Sequence, residues 1–175
     1  KILERRKNWR KKKGAKEILE SYGKFFVNEK ITNIKIIDPT LSRQLVSEAM
    51  ILYGDLISNF TIKNKIPVPY RVQEFKSCIS NVKNCSSDSQ ILRNFLLKKS
   101  MGKTFYSVTA MRHNSLGLKS YLHGTSPIRR YADLLVHYQL INFLNNKELI
   151  SKEEITLNIN DINNIGKQNI SKYRE

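Results

Sequence analysis

A chain of 175 residues can bury one core of its own or form part of a larger domain. Hydrophobic residues at 40% exclude a chain disordered throughout, while 31 Lys+Arg against 15 Asp+Glu, a formal net charge of +16, point to a polyanionic partner, either nucleic acid or an anionic membrane surface. No apolar run reaches the roughly eighteen residues of a membrane span, the charged opening is no signal peptide, and a start at Lys1 with a stop inside a polar stretch suggests a piece of a longer protein.

Residues 1–13, KILERRKNWRKKK, read as a basic helix ending near Gly14, a residue suited to the position after a helix C-terminus. Its charge is either a phosphate-contacting face or a solvated one. Residues 24–27 and 32–37, rich in Phe, Val and Ile on either side of Asn28-Glu29-Lys30, predict a β-hairpin. Asp38-Pro39-Thr40 ends it, with Thr40 capping an amphipathic helix over 41–60. There Leu45, Ala49, Leu52, Leu56 and Phe60 form one row and Val46, Met50, Tyr53 and Ile57 another, together a wide buried face. Glu48 and Asp55 flank it about 10.5 Å apart along the axis, too far to share a metal ion. Structural ion pairing is the plainer role for such carboxylates.

Pro67 and Pro69 break this helix. A helix over 72–82, a polar loop over 84–89 and a helix over 90–98 are expected next. Phe105-Tyr106-Ser107 is a short aromatic segment, suited to core packing or, if the ring is exposed, to base stacking. His113-Asn114-Ser115 marks a turn. In 121–142, YLHGTSPIRRYADLLVHYQLIN, Ser126 and Pro127 fit the cap and first position of a helix. Ile128, Tyr131, Leu135, Tyr138 and Asn142 recur at helical spacing as its buried stripe, with Leu134 and Ile141 beside them. Arg129 then falls in the first turn, near the anion-attracting helix N-terminus, and Asp133 can reach either Arg129 or Arg130. The pattern suits a guanidinium held by a carboxylate and aimed at a phosphate; a surface helix with ordinary ion pairs is the alternative. Ile155, Ile159, Ile162 and Ile165 predict a last helix.

Catalytic sets are sparse. His113, His123 and His137 could join Asp133 around a metal, and Asp133 and His137 are i,i+4, but no motif supplies a third ligand. Cys78 and Cys85 match no zinc spacing and are expected to be reduced thiols. The aspartates are isolated, without a D-x-D cluster, and no G-x-S-x-G elbow marks a serine nucleophile.

The stretch GLKSYLHGTSPIRRYADLLVHYQL resembles the signature of the RNB domain, the catalytic domain of the ribonuclease II and ribonuclease R family. LVSEAMILYGD, Pro69-Tyr70-Arg71, Phe105-Tyr106-Ser107 and GAKEI after the arginine-rich helix fit it in family order across almost the whole chain. The fold expected is α+β, mostly helical, with a short β-hairpin near the N-terminus, residues 1–175 forming the C-terminal half of an RNB domain. The resemblance implies a parent enzyme that is a processive 3′→5′ exoribonuclease, hydrolysing single-stranded RNA to nucleoside 5′-monophosphates with Mg2+ held by aspartates upstream of Lys1. A non-catalytic RNA-binding homologue is the alternative. It also implies that Arg129 holds the scissile phosphate, that Glu48 lies near the terminal nucleotides, and that Arg71, Tyr106, His123, Ser126 and Arg130 line or support the RNA channel. A monomer is expected, in the cytoplasm or in an organelle matrix or stroma. Three positions depart from the family pattern: Tyr138 stands for the arginine after the helix histidine, Gly124 for a phenylalanine, and Asn114-Ser115 for Phe-Gly.

Overall fold

The computed structural model describes residues 1–18, 22–28, 31–74 and 90–172. Helix α1 (Ile2–Lys12) stops where Gly14 takes φ +90°, a left-handed conformation that costs glycine little. Strands β1 (Tyr22–Asn28) and β2 (Ile31–Ile37) pair antiparallel, with Tyr22 opposite Ile37 and Phe25 opposite Ile34. Helix α2 (Leu41–Lys63) starts at Thr40, whose side chain accepts the Arg43 N–H. Then come β3 (Tyr70–Gln73), α3 (Gln90–Ser100), β4 (Thr104–Ser107), a single 3-10 turn (Asn114–Leu116), α4 (Tyr131–Leu144) and α5 (Lys152–Lys172). The architecture is α+β and mostly helical, with two two-stranded antiparallel sheets among the described residues. No helix among them is long and apolar enough to cross a membrane.

Where the sequence predicts a helix over 72–82, Val72 and Gln73 belong to a strand instead. The reason is alternation. Ile66, Val68, Tyr70 and Val72, alternate residues as on one face of an extended chain, are all buried, and Pro69 and Gln73 are buried as well. Their side chains form the main core with Leu122 and Val136, with Ile57, Leu140 and Phe143 packed against it. Each such aliphatic side chain contributes about 1.5–3 kcal/mol on burial. The rest of that expected helix, the 84–89 loop and both cysteines lie outside the described residues. A second cluster holds Tyr106, Ala132, Ile155 and Ile159, so α5 docks by its isoleucine row as expected, except that Ile165 is exposed.

Helix α2 departs from its predicted orientation. Its buried residues are Glu48, Gly54, Ser58 and Thr61, while Leu45, Val46, Met50 and Leu56 face outward. Close approach selects the small side chains. A Cβ on Gly54 would come within 2.3 Å of the Tyr121 ring and 2.4 Å of the Leu122 carbonyl oxygen. Ser58 Oγ lies 2.9 Å from Ser120 Oγ, and Thr61 Oγ1 lies 3.1 Å from the Tyr70 hydroxyl. Helix α1 is held to α2 by ion pairs. Arg6 pairs with Asp55, and Arg10 pairs with Glu48 through both Nη2 and Nε, the latter 3.0 Å from Oε2. These two α1 cations therefore serve the interior rather than a phosphate strand or the solvent.

Candidate functional site

Residues 121–130 run from the core to the surface, and their two ends are fixed differently. Leu122 bridges Tyr70, and the Arg71 N–H donates to the Tyr121 carbonyl at 2.8 Å, so this end extends the β3–β4 pairing. The other end is tied to α4. Asp133 Oδ2 accepts the Ser126 N–H at 2.8 Å, and His137 Nε2 lies 2.6 Å from the Gly124 carbonyl oxygen, to which it donates. Asp133 and His137 thus use their i,i+4 spacing to fasten backbone rather than to ligate a metal.

This fastening moves the start of the helix. Seven residues along a continuous helix would separate Ser126 from Asp133 by about 10.5 Å, far beyond their observed bond. Residues 127–129 form a turn instead, in which the Arg129 and Arg130 N–H groups reach the Ser126 carbonyl at 3.3 and 3.1 Å. Arg130 is extended (φ −128°, ψ 111°), and α4 begins at Tyr131, so Ser126 and Pro127 are not its cap and first residue. The stripe predicted to be buried is corrected as well. Ile128 is 102% exposed, and Tyr131, Leu134, Tyr138 and Ile141 are exposed too. The buried face carries Ala132, Asp133, Leu135, Val136, Gln139 and Asn142. Gln139 is buried because it is saturated: its amide donates to the Pro67 and Ile150 carbonyls and accepts the Ile150 N–H, each at 2.9 Å.

Arginines gather around His123. Arg130 donates from Nε (3.0 Å) and Nη2 (2.8 Å) to Asp133 Oδ2. Arg71, opposite Tyr106 in the β3–β4 register, lies 4.6 Å over the Tyr106 ring and donates to Thr104 Oγ1 at 2.5 Å. Arg129 stands on the exposed turn, with Nη2 3.3 Å from Ser126 Oγ. Burial, then Arg130, Arg71 and Arg129, depress the His123 pKa to about 4, against a partial offset from Asp133. The ring is therefore neutral near pH 7, and its Nδ1, 3.0 Å from the Tyr106 oxygen, can accept the phenol proton. Burial raises the Tyr106 pKa, which keeps that proton in place. Edge-to-face contacts continue from His123 to Tyr121 (5.4 Å) and from Tyr121 to His113 (5.5 Å).

The structure thus brings Arg71, Tyr106, His123, Ser126, Arg129 and Arg130 to one place. Glu48 is not among them. It is 6% exposed at the α1–α2 contact with both oxygens on Arg10, the structural pairing weighed for it above, and has no free face for a terminal nucleotide. Tyr106 is 9% exposed and roofed by Arg71, so core packing, not base stacking, is its role. Sequence reasoning missed what Asp133 and His137 hold. Their spacing is visible in the sequence, but reading Ser126 as the helix cap hides that Asp133 reaches back to its N–H. Among the described residues no three His, Cys, Asp or Glu side chains converge as metal ligands. Glu17, Glu48, Asp55 and Asp133 each pair with a cation.

Residues 1–146 match the family model described as RNB domain. The chain is 36% identical over 147 residues to an uncharacterized ribonuclease of Synechocystis, covering 83% of this chain and 22% of that protein. It is 32% identical over 146 residues to the chloroplastic/mitochondrial ribonuclease II of Arabidopsis thaliana, covering 79% of this chain and 18% of that protein. Its fold is similar to that of Mycoplasma genitalium RNase R, solved in complex with ribose-methylated single-stranded RNA, with a TM-score of 0.78 and 22% identity over 93% of this chain and 31% of that one. The chain spans about a fifth of the length of the curated relatives it matches.

Proposed function

The chain belongs to the RNB domain family, and from that premise we propose that it forms the phosphate-holding part of a 3′→5′ exoribonuclease that hydrolyses single-stranded RNA processively to nucleoside 5′-monophosphates. One observation carries this reading. Three guanidinium groups, those of Arg71, Arg129 and Arg130, bear on His123 together with one buried carboxylate, Asp133. Positive charge exceeds negative there, and the exposed member, Arg129, stands on a turn fastened from two sides. A planar guanidinium carried on such a turn suits a phosphate's paired oxygens.

Arginine does not give up its proton, so Arg129 is not a base. It would orient the scissile phosphate and offset the charge that grows on its oxygens as water adds. Arg130, tied to Asp133, sets the turn. Arg71, stacked on Tyr106, keeps a second cation beside it, with no ion pair to it among the described residues. His123 stays neutral and fixes Tyr106 through the phenol hydrogen bond. Magnesium, which would activate the water, finds no converging set of carboxylates among the described residues; the ligands would come from elsewhere in the parent protein.

Arg129→Ala in the intact protein tests the role. Turnover should fall about a hundredfold, the usual scale for removing one charge-stabilising donor, while RNA affinity changes less than about threefold. Equal losses in both would reduce Arg129 to a binding residue. Binding of RNA with no cleavage in the wild-type protein and magnesium present would identify the non-catalytic homologue instead.

A further inference from the structure

A second cationic cleft lies away from the arginines around His123, between α1 and the first turns of α2. It has a volume of about 300 Å3, and Lys7, Lys11, Arg43, Glu17 and Ser47 line it. Lys7 and Lys11 are i,i+4 on α1, so their ammonium groups share one side of a rigid helix. Two like charges at that spacing repel unless an anion lies between them. Here the anion is Glu17, which accepts from Lys7 on one oxygen and from Lys11 on the other at 2.6 Å. Lys7 also donates to Gln44 Oε1 at 2.8 Å, which spans the cleft to α2.

Both sides of this arrangement are held. The lysines stand on a helix, and the backbone just before Glu17 is tied by the Ala15 N–H to the Arg10 carbonyl and by the Lys16 N–H to the Ser115 carbonyl. The Glu17 carboxylate leaves the lysines by rotation of its own side chain, without movement of that backbone. The charge is also incomplete. One carboxylate meets two ammonium groups, and the first turn of α2 carries no acidic residue against its partial positive charge. A dianion would match this clamp better than the single negative charge it now holds.

We propose that this cleft is a phosphate seat, in which the Lys7–Lys11 clamp exchanges the Glu17 carboxylate for a phosphomonoester. No covalent step is involved. The phosphomonoester is either free phosphate or the 5′-phosphate of a nucleotide. Its identification with the released nucleoside 5′-monophosphate rests on the exoribonuclease reading; the seat itself does not.

Calorimetric titration of the full chain at fixed ionic strength tests it, with inorganic phosphate, a nucleoside 5′-monophosphate and an oligoribonucleotide lacking a terminal phosphate as ligands. Glu17→Gln removes the internal competitor and should tighten phosphate and monophosphate about tenfold. Lys7→Gln with Lys11→Gln should weaken both at least about tenfold. The oligoribonucleotide should respond less than the monophosphate. The seat is disproved if Glu17→Gln leaves phosphate binding unchanged or weaker, or if binding survives in the double lysine variant. RNA cleavage by the intact protein is read separately, so the seat and the nuclease reading can fail independently.

Discussion

At the scale of single residues, one oxygen organises the candidate site. Asp133 Oδ2 takes the Ser126 N–H and two donors from Arg130, in a side chain with no solvent exposure. Breaking a fully buried ion pair costs about 3–5 kcal/mol; Arg130 keeps some contact with water, so Asp133→Asn should cost nearer 2 kcal/mol. Urea unfolding should show it as a lower midpoint with an unchanged slope. Loss of turnover in the intact protein should accompany it, because the turn bearing Arg129 is set from Asp133. The sequence made part of this legible. Spacing showed that Asp133 could reach Arg129 or Arg130, and the family resemblance singled out Arg71, Tyr106, His123, Ser126 and both arginines. Which arginine Asp133 takes was not legible, because the answer depends on a turn at 127–129 that Ser126-Pro127 disguises as a helix start.

At the scale of elements, hydrophobic periodicity located the helices but turned two of them the wrong way. The hairpin, the Thr40 cap, the end of α1 near Gly14 and the start of α3 were legible from local chemistry, since each depends on neighbours in sequence. The inward face of α2 was not. It is decided by Tyr121 and Leu122, far along the chain, whose atoms come too near for any side chain at position 54. Gly54→Ala separates the two influences. In an isolated helix alanine is favoured over glycine by about 1 kcal/mol. Here the methyl group meets a ring and a backbone carbonyl, and overpacking of that kind costs about 1–3 kcal/mol. The variant should be less stable by urea denaturation; a gain would mean that α2 does not rest on Tyr121. Strand β3 was hidden for a similar reason. Its partner β4 is some thirty residues away, and Pro67 and Pro69 read as a break rather than as the approach to a strand.

At the scale of the whole molecule, two neutral imidazoles inside a strongly basic chain set its response to acid. Burial, then Arg71 and His123, lowers His113 to about 4; burial and the three arginines lower His123 to about 4. Above the ordinary histidine value of 6.5, neither the folded nor the unfolded chain holds these protons. As pH falls from about 6.5 to about 4, the unfolded chain takes them up and the folded chain resists, so stability declines, then levels off for these groups below about 4. Each ring can contribute up to about 3 kcal/mol to the decline. Thermal unfolding at several pH values between 7.5 and 4.5 should show a steady fall, and a flat profile would mean that the imidazoles become protonated in place. The same arrangement has a mechanical side. Helix α4, about 21 Å long at 14 residues, is bolted to Gly124 and Ser126 near its first turns and to Pro67 and Ile150 further along. It works as a strut, joining the Pro67 and Ile150 backbone at one end to the Gly124 and Ser126 backbone just before Arg129 at the other.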